Sequence, residues 1–463
     1  MTLLDTHCKT AGSVYDNMSV TLNQTNIATN NNKFYIMQVV DTGKDSEFVL
    51  FTRYGRMGEP GKATHKTMAK EAAVRDFMKT FRTKTKNTWG IVPFVSYAGS
   101  YFMADVAEVT DVTEKTEDDD SKDPTEVVPE EPLQPEVDRL ISLISDRKMM
   151  QRALTDLNID EKKMPIGKMS SNQLDKAKKV LHDILADIDA GGRNVDALSS
   201  TFYTYVPCSF GRRKPPAIDT TEDVDKYFDL VEDLRNIQVA ASITKKRDIG
   251  NREIYDGLNA KISLLDKDSE MYREILKYMS RKGSTHNRRA NVVDIFEIER
   301  DGEEAKFRKD MKNRTLLIHG SRMANWISII KNGLVLDPER MGAVISGKMW
   351  GFGVYHANLV SKSLGYVDYS GGYGCLLLNE VALGESHCMK QSMYNASKKN
   401  IKGDSIHGLG STTPDGGVTV DGVYIPNGAP VSSGISGCSV LYDEFISFDT
   451  SEIRQRYLVL IKQ

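Results

Sequence analysis

A run of acidic residues and prolines divides the chain into parts that must fold separately. Between Thr113 and Glu136 there are ten acidic residues against two lysines, with prolines at positions 124, 129, 132 and 135. Such a segment cannot bury enough apolar surface to offset its conformational entropy, and its like charges keep it extended. We therefore interpret residues 111–136 as a linker, which as a solvated segment is also a candidate target for covalent modification.

The residues before the linker predict a small sheet with one helix. Alternating apolar and polar residues over 33–40 and 47–53 are typical of strands. Apolar residues then follow helical spacing from Met68 to Phe81. These elements define a first domain over residues 19–110, and the polar residues 1–18 are predicted to be disordered.

The residues after the linker divide into a region with a helical pattern and a region with a β-rich pattern. Apolar repeats at i, i+3 and i+4 over 140–144, 174–188 and 224–242 predict a helical bundle over residues 137–248, with Ser170 as the N-cap of one helix and Gln173 three residues later. Short β-like runs at 314–318, 374–378 and 457–461 predict a mixed, β-rich domain over residues 249–463. The fold class is therefore α+β with several domains.

Bulk properties exclude several classes of protein. A length of 463 residues suits two to four domains, and a net charge of −3 excludes a uniformly basic protein. Residues 1–13 lack the apolar core of a secretory signal, and no run reaches the ~18 apolar residues of a membrane helix. We expect reduced thiols and no metal site from the five scattered cysteines, which are Cys8, Cys208, Cys375, Cys388 and Cys438.

Four short motifs follow one another in the last domain. They are His319-Gly-Ser321, Gly353-Val-Tyr-His-Ala357, Ser361-Lys-Ser-Leu-Gly-Tyr366 and Leu441-Tyr-Asp-Glu-Phe-Ile446. Each motif alone is common in turns and strands. Together, in this order, they resemble the ADP-ribosyltransferase domain of the poly(ADP-ribose) polymerases. The resemblance implies a His-Tyr-Glu triad formed by His319, Tyr355 and Glu444, and NAD+ as the substrate.

The expected chemistry explains why a carboxylate is needed. Breaking the bond between nicotinamide and ribose builds oxocarbenium-like positive charge on the sugar, as glycoside hydrolysis does. A carboxylate beside a ribose hydroxyl stabilises that charge and can polarise the attacking hydroxyl. By resemblance this group is Glu444. Lys362 either orients Glu444 or is a solvated helix charge.

The resemblance also assigns the other contacts with NAD+. It implies that the nicotinamide amide is held by the Gly320 backbone and the Ser363 hydroxyl, with Tyr366 and Tyr355 on the two faces of the ring. His319 and Ser321 are expected at the adenosine ribose, and Met349 at the acceptor site. Four positions depart from the usual family pattern and put NAD+ affinity, polymer length and inhibitor fit in question. They are Val335, Lys348, Phe352 and His356.

The helical region resembles the autoinhibitory domain of the DNA-damage-dependent members of the family. The resemblance is carried by the segments 163–170, 202–207 and 210–216. It implies that Asp229, Glu232 and Asn236 lie on a helix that faces the adenosine pocket. In that case DNA binding would release the bundle from the NAD+ site.

The first domain contains Arg53-Tyr-Gly-Arg-Met-Gly58 after Asn30-Asn-Asn-Lys-Phe-Tyr35. These motifs resemble those of a WGR domain, with Tyr54 where that family has tryptophan. Residues 53–86 contain ten Lys or Arg against three Asp or Glu, which favours sequence-independent contact with phosphates. The alternative is a basic solvated face with a core tyrosine. Arg56 is expected both to support the DNA contact and to touch the helical bundle. The predicted DNA-binding residues are Tyr54, Arg56, Arg53, Asn31 and Lys33.

The leading hypothesis is a DNA-break-activated NAD+ ADP-ribosyltransferase that builds poly(ADP-ribose) on itself and on other proteins. Its expected partners are DNA breaks with 5′-phosphates and acceptor proteins, and it is expected to be a monomeric nuclear protein without membrane contact. The domain order resembles the smaller, poly(ADP-ribose) polymerase 2/3-like architecture. Two alternatives are a DNA-end-binding scaffold with an inactive transferase domain, and a transferase that adds single ADP-ribose units.

Overall fold

The computed structural model describes residues 3–44, 46–97, 99–104, 132–156, 169–244, 250–281, 290–336 and 348–463. The chain divides into two compact units. The first comprises Met1–Glu130 and Gln151–Gln238, and the second comprises Glu131–Met150 and Val239–Gln463. The sequence motifs 163–168 and most of the predicted linker lie outside the described residues.

A strand-rich region, a run of helices and a mixed region follow one another along the chain, as the sequence predicts. The helices are α1 (Lys70–Thr85), α2 (Pro135–Ile144), α3 (Arg147–Asp156), α4 (Ser171–Asp189), α5 (Val195–Tyr205), α6 (Thr221–Ile243), α7 (Asn251–Asp256), α8 (Glu270–Ser280), α9 (Glu303–Lys306), α10 (Trp326–Asn332) and α11 (Val360–Ser363). The first strands are β1 (Ser13–Asn26), β2 (Asn31–Asp41), β3 (Phe48–Arg56), β4 (Lys62–Met68) and β5 (Phe102–Met103). The remaining strands are β6 (Ala260–Leu264), β7 (Asn291–Arg300), β8 (Arg314–Gly320), β9 (Val354–Ala357), β10 (Tyr373–Ala382), β11 (Ser386–Met389), β12 (Ser405–Gly408), β13 (Gly410–Pro414), β14 (Val418–Val420), β15 (Val423–Ile425), β16 (Pro430–Ser432), β17 (Val440–Tyr442), β18 (Glu444–Ser447) and β19 (Ile453–Lys462). The α+β multidomain class is confirmed.

The first five strands form one antiparallel sheet in the order β4-β3-β2-β1-β5. Because side chains alternate along a strand, each face of the sheet receives its own apolar set. One face packs against α1 through Phe77 and Phe81. On the other face Leu4 and Cys8 pack against a cluster that includes Phe34 and Phe51. The amino-terminal residues therefore cover one side of the sheet.

The prediction of a disordered segment over residues 1–18 is wrong for the described residues 3–18. Strand β1 begins at Ser13. Asp5 accepts a hydrogen bond from the Arg53 guanidinium at 2.6 Å, and the two side chains are only 8% and 2% exposed. Polar composition misled the prediction because a buried ion pair, rather than apolar contact alone, fixes this segment.

The helical part of the first unit begins as the sequence predicts. The Ser170 hydroxyl accepts a hydrogen bond from the Gln173 amide at the start of α4, as expected of an N-cap. Helix α5 also contacts the edge of the sheet. Its Ser200 and Thr204 hydroxyls, one turn apart, accept hydrogen bonds from the backbone amides of Ile27 and Thr25. The sheet and the helices are therefore joined by specific polar contacts.

The second unit is built on a large sheet in the order β11-β12-β18-β9-β8-β10-β19-β7-β6, with β15 also pairing with β8. Its central strands are tied together by the fully buried Glu380 of β10, which accepts hydrogen bonds from Arg314 of β8 and from Arg454 and Arg456 of β19. Helix α8 packs against the apolar face of the same strands. The order of the strands therefore determines which strand ends lie side by side.

Helix α2 belongs to the second unit. The Asn251 side chain donates hydrogen bonds to Asp138 and Ser142 of α2, and Arg139 of α2 pairs with the buried Asp294 of β7. Within the described residues, none of the helices has the length and apolar character that crossing a membrane requires.

Removing the Asp5 carboxylate should destabilise the first unit, because the buried Arg53 guanidinium loses its counter-charge. We expect Asp5→Ala to lower the free energy of opening of β2 and β3 by about 3 kcal/mol, measured by hydrogen exchange of their amides. Lys44→Ala, which disrupts the exposed pair of Lys44 and Glu47 at 3.7 Å, should leave this value almost unchanged. Equal effects of the two substitutions would contradict a structural role for Asp5.

Candidate active site and nucleic-acid interface

Three adjacent strands carry the predicted triad. His319 lies near the end of β8, Tyr355 on β9 and Glu444 at the start of β18, and these strands are neighbours in the order β18-β9-β8. The short helix α11 follows β9 almost directly and carries Lys362 and Ser363. Strand order thus brings together residues that are as much as 125 positions apart in the sequence.

The Glu444 carboxylate is buried and has a donor on each oxygen. Lys362 Nζ lies 2.5 Å from Oε1, and the Trp350 indole Nε1 donates to Oε2 at 2.7 Å. Burial alone would lower the pKa of Lys362, but attraction by Glu444 and the hydrogen bond between them outweigh it and raise that pKa. Lys362 is therefore a charged partner of Glu444 rather than a solvated helix charge.

The Tyr355 backbone bonds His319, and its hydroxyl bonds the backbone next to the tryptophan that contacts Glu444. The Tyr355 carbonyl accepts a hydrogen bond from His319 Nδ1 at 3.0 Å, which leaves Nε2 as the acceptor atom of a neutral ring. Burial lowers the pKa of His319, which favours that neutral form. The Tyr355 hydroxyl donates to the Gly351 carbonyl at 2.9 Å and accepts from the Trp350 amide at 3.0 Å.

Gly320 lets α11 approach the end of β8. A Cβ atom at this position would lie 2.2 Å from the Ser363 carbonyl oxygen, so no other residue fits without a shift. The Ser363 hydroxyl donates to the Ile318 carbonyl at 3.2 Å. Tyr366 stands beside Gly320 with 61% of its surface exposed. Three of the residues predicted to hold nicotinamide, Gly320, Ser363 and Tyr366, therefore meet at the end of β8.

The remaining predicted residues of this region are the NAD+ and acceptor contacts Ser321 and Met349, and the four positions that depart from the family pattern. Ser321, at the end of β8, accepts a hydrogen bond from the Asn325 side chain at 3.1 Å. Met349 packs beside Trp350. The positions that depart from the family pattern differ in environment. Val335 is 58% exposed, and Lys348 Nζ lies 5.4 Å from the centroid of the buried Phe352 ring. The buried His356 ring is hydrogen-bonded to the Asn379 side chain at 3.0 Å.

In the first unit, aromatic rings and lysines form a cluster at one end of the sheet. Tyr54, 39% exposed, stacks on Tyr35 with a centroid distance of 5.5 Å. Lys84 Nζ lies 4.6 Å from the Tyr35 centroid and 5.4 Å from that of Tyr101, and Lys33 Nζ lies 5.9 Å from the latter. Burial, with repulsion by Lys33, lowers the pKa of Lys84. A basic cluster with stacking surfaces fits a nucleic-acid strand.

Both predicted DNA-binding arginines have protein partners. Arg53 is 2% exposed and paired with Asp5, so the prediction that it contacts DNA is wrong. Arg56 donates to the carbonyls of Gly211 and Arg213 at 2.5 and 2.7 Å, and to Asn30 at 2.8 Å. Arg56 therefore joins the sheet to the loop that follows α5. Asn31 donates to the Thr29 hydroxyl at 2.8 Å.

The three predicted regulatory residues lie on one face of α6, because positions 229, 232 and 236 recur at helical spacing. Asp229 is exposed, and Glu232 lies 3.9 Å from Lys178 of α4. Their assignment to regulation stays a prediction.

Sequence reasoning missed three residues that the structure brings into these sites. Lys84 and Tyr101 complete the basic cluster, and their sequence signal was only the charge of the segment around Lys84. Trp350 contacts Glu444, although its only signal was its position one residue after Met349. None of these contacts follows from local pattern, since each joins residues that are distant in the sequence.

Comparison with known proteins extends over almost the whole chain. The poly(ADP-ribose) polymerase catalytic domain matches residues 269–463, the poly(ADP-ribose) polymerase regulatory domain matches residues 132–260, and the WGR domain matches residues 18–93. Within the described residues, no group of three or more His, Cys, Asp or Glu side chains could hold a metal ion.

Individual relatives give the same result. Poly [ADP-ribose] polymerase 2 of Homo sapiens is 34% identical over 470 residues, which cover 97% of this chain and 79% of the relative. Poly [ADP-ribose] polymerase 2-A of Oryza sativa subsp. japonica is 33% identical over 96% of this chain and 69% of the relative. Poly [ADP-ribose] polymerase 1 of Gallus gallus is 32% identical over 96% of this chain, which spans about half (45%) of that relative. The resemblance found in the motifs is confirmed, and the chain belongs to the poly(ADP-ribose) polymerase family.

Proposed function

We propose that this protein cleaves NAD+ between nicotinamide and ribose and transfers the ADP-ribose to protein, building poly(ADP-ribose) when it binds a DNA break. The observation that carries the proposal is the meeting of His319, Tyr355 and Glu444 on three adjacent strands, with Lys362 holding the carboxylate. NAD+ is the substrate, and the reaction needs no metal.

Glu444 supplies the electrostatic part of catalysis. Its buried carboxylate, paired with Lys362, would accept a hydrogen bond from a hydroxyl of the nicotinamide-bearing ribose. Positive charge that develops on that sugar is then stabilised by a negative group already in place, which needs no reorganisation during the reaction. The leaving group is neutral nicotinamide, so no strong general acid is needed. In elongation, the same carboxylate would polarise the acceptor hydroxyl near Met349.

The remaining residues orient NAD+. The amide of nicotinamide is expected to pair with the Gly320 backbone and the Ser363 hydroxyl, with the ring between Tyr366 and Tyr355. A neutral His319 can accept a hydrogen bond from an adenosine ribose hydroxyl through Nε2, and Ser321 can bond the same sugar. Fixed contacts at both ends of the dinucleotide restrict the reacting sugar to one orientation.

The first unit is proposed to recognise DNA breaks. Lys33 and Lys84 offer two positive charges for a 5′-phosphate, and the exposed Tyr54 ring offers a stacking surface for a terminal base or sugar. Asn31 lies beside Lys33 at the start of β2. A tyrosine has less stacking area than a tryptophan, so weaker end binding is expected than for family members with Trp-Gly-Arg. We also propose that the protein is a monomer and acts in the nucleus.

Regulation by the helical region is the third part of the proposal. Arg56 bonds the loop after α5, which gives a path by which a change at the DNA-binding sheet reaches the helices. Asp229, Glu232 and Asn236 on α6 are the candidates for covering the NAD+ site before DNA binds. Two competing hypotheses, a scaffold without activity and a transferase that adds single units, differ from this proposal in the products that they would form.

Replacing the catalytic carboxylate should abolish elongation. We expect Glu444→Gln to lower kcat for protein modification by about 10²-fold or more, with a smaller change in KM, because the substitution removes the charge but keeps the shape. The measurement is incorporation of labelled NAD+ with and without 5′-phosphorylated nicked DNA. High-mass products that need DNA and are lost in Glu444→Gln support the proposal. A single sharp wild-type band would favour mono-transfer, and no incorporation despite DNA binding would favour the scaffold.

The basic cluster should account for part of the salt dependence of DNA binding. Lys33→Met and Lys84→Met should each weaken binding to a nicked duplex and reduce the slope of log K against log salt by about 0.9. Lys44→Met makes the same charge change beyond the opposite end of β2 and serves as the matched control. If all three substitutions gave the same slope as the wild type, the cluster would not be the DNA contact.

Shortening the helical region should raise activity without DNA. We expect a variant in which a short flexible linker replaces residues 151–243, with α2 retained for its contacts with the second unit, to release nicotinamide faster than the wild type when DNA is absent. DNA should no longer stimulate it. An unchanged DNA-independent rate, in a variant that binds an NAD+ analogue normally, would contradict autoinhibition.

A further inference from the structure

A fully buried tryptophan contacts two members of the triad. The Trp350 indole N–H donates to Glu444 Oε2 at 2.7 Å, and its backbone amide donates to the Tyr355 hydroxyl at 3.0 Å. Its side chain has 0% exposure and packs against Ile406, Ile446 and other apolar residues. Neither the motifs nor the family comparison assigned this residue a role.

Gly408 makes room for the contact with Glu444. In the sheet Gly408 of β12 lies directly opposite Glu444 of β18. A Cβ atom at Gly408 would lie 2.5–2.7 Å from three atoms of the Trp350 indole, closer than real Cβ contacts allow. Any side chain at this position would therefore push the indole away from Glu444. The small residue and the large one form a matched pair beside the carboxylate.

The two donors on Glu444 differ in rigidity. Lys362 reaches Oε1 through a flexible stem and keeps 30% of its side chain exposed. The Trp350 ring is fixed by the packing around it, and its N–H can only donate. A carboxylate offers about four lone-pair sites, so with one donor on each oxygen Glu444 can still accept a bond from a ribose hydroxyl. Trp350 therefore limits rotation of the carboxylate without using up its capacity.

We propose that Trp350 is a positioning residue for the reaction, which holds the Glu444 carboxylate in the orientation that faces the ribose of NAD+. This inference rests on the proposed function, because it concerns how Glu444 acts in it. Lys362 supplies the counter-charge, and Trp350 fixes the plane of the carboxylate. Gly408 is needed for the indole to lie where it does.

The first test removes the indole N–H and keeps an aromatic ring. Trp350→Phe should lower kcat for NAD+ cleavage about ten- to a hundredfold, the range expected for a hydrogen bond to a charged group, with KM changed less than threefold. Trp326→Phe is the matched control. Trp326 is also fully buried, and its indole N–H has no hydrogen-bond partner among the described residues. This control should keep wild-type kcat.

A double substitution separates positioning from packing. If Trp350 acts through the carboxylate, Trp350→Phe should have less than a twofold effect on the residual NAD+ cleavage of Glu444→Gln. A purely structural role would give the same loss in both backgrounds and would overturn the inference. Gly408→Ala, which keeps the indole but displaces it, should reproduce the kcat loss of Trp350→Phe. Wild-type kcat in Gly408→Ala would also overturn the inference.

A spectroscopic measurement reports on the bond itself. The chain has three tryptophans, so nitrogen-15 labelling gives three indole N–H signals, and Trp350→Phe identifies one of them. That signal should shift in Glu444→Gln, while the Trp326 signal stays in place. An unmoved Trp350 signal would overturn the inference. Failure of the proposed function is distinguishable, because it would appear as absence of NAD+ turnover by the wild type, whereas failure of this inference leaves wild-type turnover intact.

Discussion

Burying a carboxylate is costly unless donors compensate for the lost water, and this constraint governs the arrangement around Glu444. The residue starts a strand whose neighbours bring Tyr355 and His319 alongside it. Lys362 reaches it because α11 follows β9 almost directly, and α11 itself approaches β8 because position 320 is a glycine. Trp350 reaches it because position 408 is a glycine. The same requirement recurs in the first unit, where Asp5 compensates buried Arg53.

Much of the architecture could be predicted from the sequence. Strands over 33–40 and 47–53 and helices over 174–188 and 224–242 have clear periodicity, and the structure contains them. The Ser170 cap follows from a local rule and is present. The triad of His319, Tyr355 and Glu444 stays a prediction of the family resemblance, which rests on the order of four motifs, and the structure brings its three members onto adjacent strands. Local patterns therefore predicted elements, and the order of motifs predicted the family.

The remaining features depend on contacts between distant residues. Polar composition suggested that residues 1–18 were disordered, yet Asp5 lies 48 positions from its partner Arg53. The same contact buries the Arg53 guanidinium, which no local pattern reveals. Trp350 and Glu444 are 94 positions apart, and their bond depends on a glycine in a third strand. Pairing of buried polar groups is a tertiary property, so periodicity and charge counts cannot predict it.

The central claim is that Glu444 acts on the ribose of NAD+ held at the end of β8. The most direct measurement is a crystal structure of the full chain with an NAD+ analogue whose nicotinamide–ribose bond cannot be cleaved. The account predicts the nicotinamide amide on the Gly320 backbone and the Ser363 hydroxyl, with a ribose hydroxyl within hydrogen-bond distance of Glu444. An analogue bound with its ribose out of reach of Glu444, or bound away from the end of β8, would contradict the account.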